Sequence, residues 1–191
     1  MAEVDPKPSG PVSRLSALWA RVELTLAAVL AVGVTALILL NVITRSMNNA
    51  LFWVDEAAIY AMVWMTFLGA SAAVHHRQQV AITLLTDALP AKAQRAAAKL
   101  VDALVFVFAC GMVWFCWRWF MPLQILQTGF DAAAFQGATF NFIYAEPTST
   151  IGIRKWIIWL VMPIFSAGLL LHSLAQLLDL RPPAPRSEAA T

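Results

Sequence analysis

The stretch LTLAAVLAVGVTALILLNVIT, Leu24–Thr44, holds 21 residues without a charged side chain between Glu23 and Arg45. A helix rises about 1.5 Å per residue, so about 20 apolar residues cross the hydrocarbon core of a bilayer. A signal-peptide core runs to roughly 7–15 residues, so this stretch reads as a retained span. Three more uncharged stretches follow, between Glu56 and His75, Asp102 and Arg118, and Lys155 and Asp179, of 18, 15 and 23 residues. The third is short for a span, yet no helix breaker interrupts Ala91 to Met121. A long, tilted helix partly outside the bilayer is therefore predicted there.

Composition agrees with lipid as the solvent. Apolar residues make up 60% of the chain and charged residues 13%, against about 45–50% and about 25% in soluble domains. The sequence thus predicts an all-α integral membrane protein with four transmembrane helices, near 24–44, 56–75, 91–121 and 155–178. They form a membrane domain over 12–180, between a flexible tail at 1–11 and a second tail at 181–191, with an outer loop at 122–154. Residues 12–23 form either a short helix on the membrane surface or an extension of the first span. On the surface, Leu15, Leu18, Trp19 and Val22 would face lipid and Arg14 and Arg21 water.

Lys and Arg set the orientation. Nine (Lys7, Arg14, Arg21, Arg77, Lys92, Arg95, Lys99, Arg181 and Arg186) fall on one side and four (Arg45, Arg118, Arg154 and Lys155) on the other. The positive-inside rule puts the nine, and both chain ends, in the cytoplasm. Trp53, Trp114, Trp117, Trp119, Trp156 and Trp159 cluster at the opposite ends of the spans, as an interfacial belt requires. Lys92, Arg95, Lys99 and Asp102 share one helical face, expected at the headgroups. The outer loop carries Phe130, Phe135, Phe140, Phe142 and Tyr144, which suggests a part lying on lipid or on another protein.

Chemistry-bearing residues are few. A net charge of +2 without a basic run gives no footing for nucleic acid. No metal-ligand spacing, activated nucleophile or phosphate-binding glycine loop is present, so neither an enzyme nor a cofactor is expected. Cys110 and Cys116 lie six residues apart, point to different helix faces and read as two buried thiols. Glu23, Asp55, Glu56 and Asp102 sit at span ends, within reach of water. His172 lies inside a span; with His75 or His76 it could hold a b-type haem, making a redox-enzyme anchor the alternative reading. Asp55 and Glu56 suit the positive N-terminus of the second span. An Arg45–Glu56 contact is expected to close the hairpin of spans one and two. Pro163 should kink the fourth span. Gly69, Ala70, Ser71, Ala72 and Ala73 leave span two open to close approach by another helix.

One block is more specific. Arg45, Trp53, Asp55-Glu56, Tyr60, Trp64 and Phe67-Leu68-Gly69-Ala70 resemble the small membrane subunit of the tripartite ATP-independent periplasmic (TRAP) transporters, the DctQ-like family. Val80, Ile82, Leu84-Leu85 and Leu89-Pro90 continue the likeness, and Ile151-Gly152, Trp156, Trp159 and Pro163 resemble the start of that family's fourth span. The chain departs from the pattern at Gln79, where a His is frequent, and at Thr83, where an Asp is frequent. A Pro usual before the span-four Trp is replaced near Arg154, and the outer loop is longer around Asp131 to Glu146. The resemblance implies a scaffold in the bacterial inner membrane, not a catalyst. Its partners would be a large elevator subunit with the substrate and sodium sites, a periplasmic solute-binding protein delivering an organic acid, and membrane lipids. Arg45, Trp53, Asp55, Glu56, Tyr60, Trp64, Gly69, Ala73, Trp156 and Pro163 are the candidate interface or structural positions.

Overall fold

The computed structural model describes residues 10–77 and 90–178. The tails and the inner-loop positions Gln79 to Leu89 fall outside the described residues, and the readings made on them stay sequence readings.

Pro11, with its fixed φ and no N–H to satisfy, opens α1, Pro11–Ser46. At 36 residues it spans roughly 54 Å and is continuous. No separate surface helix forms: residues 12–23 are the first turns of α1. Leu15, Leu18 and Val22 are exposed, whereas Ser16, Ala20 and Glu23 are buried. Trp19, expected toward lipid, has its indole nitrogen buried within the protein. After Asn48 turns through a left-handed conformation (φ 57°), α2 runs Phe52–His75. Pro90 precedes α3, Ala91–Phe120, which ends at left-handed Met121. Two short helices follow in the outer loop, α4 (Pro122–Gln127) and α5 (Ala132–Thr139). The Asp131 carboxylate caps α5 by accepting from the Ala133 and Ala134 N–H groups at 2.8 and 3.2 Å. The fourth span is α6, Lys155–Trp159, and α7, Val161–Leu178, separated at Leu160. That interruption lies where Pro163 cannot donate to the Trp159 carbonyl.

Among the described residues, four stretches are long and apolar enough to cross a membrane: Pro11–Ser46, Phe52–His75, Lys92–Gln127 and Lys155–Leu178. Among the described residues there is no strand, only an isolated bridge between Pro147 and Arg154. α7 is the hub, packing on α1, α2 and α3, and α1 lies along α2. Val74, Ala109 and Leu169 join α2, α3 and α7 in one apolar cluster. The outward side of α1, with Val29, Val32, Leu39 and Ile43, is bare, as lipid or a partner helix requires.

The outer loop is a folded unit. Phe120, Ile125, Phe135 and Ile143 form its core, with Tyr144, Trp156 and Leu160 packed against it. Not all five loop aromatics are therefore available to lie on lipid or on another protein. Phe135 is fully buried and Tyr144 half-buried, while Phe130, Phe140 and Phe142 remain exposed. Tyr144 donates to the Phe120 carbonyl at 2.6 Å, and burial pushes its phenol pKa up. Two further expectations fail for the same reason, that burial is decided by the neighbouring helix. Asp102 does not face water but is buried against Arg77, at 3.1 and 3.2 Å. Of the two thiols only Cys116 is buried; Cys110 is exposed.

Candidate functional site

Arg45, Trp53, Asp55, Glu56 and Tyr60, all singled out in sequence, gather at the end of the bundle where α1 turns into α2. Arg45, in the last turn of α1, brings Nη2 to 2.6 Å from the Asp55 carboxylate and donates from Nε to the Asn41 side chain at 2.7 Å. Asn41 in turn donates to Asp55. The expected Arg45–Glu56 contact is therefore corrected: the acid that closes the hairpin is Asp55. Consecutive helical residues diverge by about 100°, so one arginine cannot face both.

Glu56, freed from Arg45, grips the outer loop. Its carboxylate accepts from the backbone N–H groups of Ser149, Thr150 and Ile151 at 2.8, 2.6 and 3.0 Å. It also accepts from the Thr150 hydroxyl at 2.6 Å and the Tyr60 hydroxyl at 3.0 Å. Gly152, at φ 78°, completes the turn that aims these donors at one carboxylate. Lower down α2, Trp64 donates to the Ile158 carbonyl at 2.9 Å, beside the Leu160 interruption that Pro163 imposes. Trp156 packs on Tyr144, with ring centroids 6.0 Å apart. Trp53, Trp114, Trp117, Trp119 and Trp159 are exposed, as interfacial tryptophans would be. Gly69 and Ala73 lie on a half-exposed strip of α2 beside exposed Thr66 and Ala70, and nothing stands within 4 Å of where a Gly69 side chain would begin.

The opposite end, where α1 begins and α2 finishes, holds a buried polar cluster, of which sequence reasoning found only the approach of His172 to His75. Ser16, Trp19 and Glu23 come from one face of α1, Ser71 and His75 from α2, and Gly168 and His172 from α7. The Ser16 hydroxyl touches the Nδ1 atoms of both His75 and His172, at 2.7 and 2.8 Å. His172 Nε2 meets Glu23 Oε2 at 2.9 Å, and both side chains are almost wholly buried. Among the described residues, Trp19 Nε1, Glu23 Oε1 and Ser71 Oγ have no hydrogen-bond partner. All three converge on Gly168, where an added Cβ would stand 2.5–2.7 Å from them. The spacing signal was present, with Ser16 and Glu23 seven apart and Ser71–His75 and Gly168–His172 four apart, but it needed the helix pairing to be read. One turn along α7, Gln176 donates to the Val74 carbonyl, and Lys99 donates to the Gln176 carbonyl at 3.3 Å.

This geometry does not suit the haem alternative. Two histidines ligating one haem iron must face each other across the porphyrin. Here both Nδ1 atoms converge on one hydroxyl, the ring centroids are 5.2 Å apart, and His172 Nε2 is committed to Glu23. No space for a macrocycle remains between them.

Residues 34–182 match the family described as tripartite ATP-independent periplasmic transporters, DctQ component. The chain belongs to the DctQ family. Among curated proteins it is similar to a putative TRAP transporter small permease protein of Haemophilus influenzae, 31% identical over 78 residues, covering 40% of this chain and 48% of that protein. It is also similar to the isethionate TRAP transporter permease protein DctMQ of Oleidesulfovibrio alaskensis, 21% identical over 127 residues, covering 66% of this chain and 17% of that protein. The matched regions thus span about half, and less than a fifth, of these relatives. As a DctQ component with four membrane-length helical stretches, the chain is a multi-pass membrane protein.

Proposed function

We propose that this DctQ-family chain is the small permease subunit of a sodium-coupled TRAP transporter that takes up an organic acid across the bacterial inner membrane. In this role it does no catalysis. It enlarges the fixed part of the membrane assembly against which a large elevator subunit moves, and a periplasmic solute-binding protein delivers substrate to the pair. The family match over 34–182 carries this reading. The cross-bracing suits it: the Arg45–Asp55 pair, the Glu56 grip and the Trp64 bond tie α1, α2, the outer loop and the fourth span together. A stationary partner must resist shear, and such ties serve that. The excess of Lys and Arg on one side supports cytoplasmic chain ends and an outer loop in the periplasm.

The test is co-purification of the tagged chain in mild detergent with its neighbouring genes co-expressed. A much larger, many-spanning protein eluting in fixed proportion, and sodium-dependent uptake lost when this chain is deleted, is the expected result. Elution of this chain alone, or uptake indifferent to its deletion, overturns the proposal.

A further inference from the structure

The polar cluster at the start of α1 has no evident part in bracing the outer end, and its composition is unusual for mere packing. Polar groups buried among membrane helices are expensive and tend to be functional. Here a carboxylate, two imidazoles and a hydroxyl stand in line, from half-exposed His75 to the wholly buried Glu23. Exposed His76 lies edge-on against His75, ring centroids 4.9 Å apart, at the end of α2.

We propose that this cluster is a proton-binding site, filled by a relay running from His75 through Ser16 and His172 to Glu23. Ser16 has one hydroxyl hydrogen but two imidazole neighbours, so it donates to one Nδ1 and accepts from the other. In one arrangement His75 Nδ1–H donates to Ser16, Ser16 donates to His172 Nδ1, and His172 Nε2–H donates to the Glu23 carboxylate. A proton delivered to the other nitrogen of His75 starts the transfer. The Nδ1 proton of His75 then passes to Ser16 Oγ, the Ser16 proton to His172 Nδ1, and the His172 Nε2 proton to Glu23 Oε2. Each group gives up one proton as it gains one. The result is a neutral Glu23 acid, two neutral imidazoles in the opposite tautomer and a reversed hydroxyl. Nothing but the incoming proton is consumed.

Glu23 Oε1 sits with Trp19 Nε1 and Ser71 Oγ over Gly168, where the absence of a Cβ lets all three approach. An indole N–H can only donate, so this pocket suits an oxygen acceptor and disfavours a metal cation. Among the described residues, the titratable groups at the cluster are Glu23 from α1, His75 and its ring neighbour His76 from α2, and His172 from α7. Arg14 and Arg21 are exposed. Arg77 and Lys99 each pair with Asp102. The proposal stands on this geometry and does not depend on the transporter reading.

The experiment is infrared difference spectroscopy on the full chain, purified with its bound partners and reconstituted in lipid, during pH jumps in H₂O and D₂O. The expected result is a carboxylic-acid C=O band that gives way to carboxylate as pH rises, shifts in D₂O, and is lost in Glu23→Gln. In Ser16→Ala the same band should remain while its response to a pH jump slows several-fold. A wild-type spectrum without a titrating carboxylic acid makes Glu23–His172 a fixed ion pair and overturns the proposal, whatever the variants do. A Glu23 band whose response time is unchanged in Ser16→Ala overturns the relay.

Discussion

Arg45 pairs with Asp55 across 2.6 Å, while Glu56, the next residue, points away and holds the 149–151 turn. The two adjacent acids thus do separate jobs: one closes a hairpin between helices, the other pins a loop from more than ninety residues downstream. The Arg45–Asp55 pair is about half exposed on both sides, so its own contribution is about 0–1 kcal/mol. Arg45→Asp and Asp55→Arg should each lower the thermal midpoint in detergent slightly, and the double reversal should recover part of the loss. Arg45→Glu with Glu56→Arg should recover nothing, because Glu56→Arg sets a cation against three backbone N–H groups. Hydrogen exchange should localise that damage, with Ser149, Thr150 and Ile151 exchanging several-fold faster. Equal recovery by both swaps would contradict the assignment.

The outer loop makes a second prediction. Phe135 is fully buried in the loop core, whereas Phe140 is 83% exposed. Truncating a buried Phe costs about 3–5 kcal/mol, and truncating an exposed one costs little. Phe135→Ala should open residues 122–154 to limited proteolysis while the span helices keep their far-UV circular dichroism. Phe140→Ala should leave the proteolysis pattern as in the wild type. If Phe140→Ala nevertheless weakens uptake or partner binding, the exposed aromatic is serving a contact outside this chain.

What was legible in the sequence was whatever depends on one helix at a time. The uncharged runs gave the spans, the unbroken stretch from Ala91 gave the length of α3, and Pro163 marked the break at Leu160. The family block from Arg45 to Ala70 pointed to the right relatives. What failed depends on which helix stands opposite. Ser16 and Glu23 look like the wet side of a surface helix until α2 and α7 are laid against them. Asp102 reads as a headgroup residue until Arg77 meets it. The choice of Asp55 over Glu56 turns on about 100° of helix rotation relative to α1. Phe135 and Tyr144 could not be told from the exposed Phe130, Phe140 and Phe142, because a loop's private core leaves no periodic trace in its sequence.

Two glycines should behave oppositely. At Gly168 a Cβ would stand 2.5 Å from Glu23 Oε1 and 2.7 Å from Ser71 Oγ and Trp19 Nε1. Overpacking of this kind typically costs about 1–3 kcal/mol, so Gly168→Ala should lower the thermal midpoint of the purified chain. At Gly69 nothing lies within 4 Å, so Gly69→Ala and even Gly69→Leu should leave that midpoint nearly unchanged. If Gly69 and Ala73, candidate interface positions on the half-exposed strip of α2, meet the large subunit, Gly69→Leu should still abolish co-purification. A well-folded Gly69→Leu chain that keeps its partner would exclude this strip as the contact.

The last prediction concerns Trp64 and Pro163, which the fold brings to the same break. Pro163 has no N–H, so the Trp159 carbonyl loses its helical donor, and the chain is interrupted at Leu160. Trp64 reaches across from α2 and donates to the neighbouring Ile158 carbonyl. Trp64→Phe removes that donor and should cost about 1 kcal/mol, the usual net value of such a bond. Pro163→Ala restores a backbone N–H and allows the helix to straighten, so that the Met162 N–H can claim the Ile158 carbonyl. Trp64 would then have no acceptor there. The two substitutions should therefore be strongly non-additive: in the Pro163→Ala background, Trp64→Phe should have little further effect on the thermal midpoint. Full additivity would mean that the Trp64 bond does not answer to the break, and that Trp64 stabilises the bundle through ring packing alone.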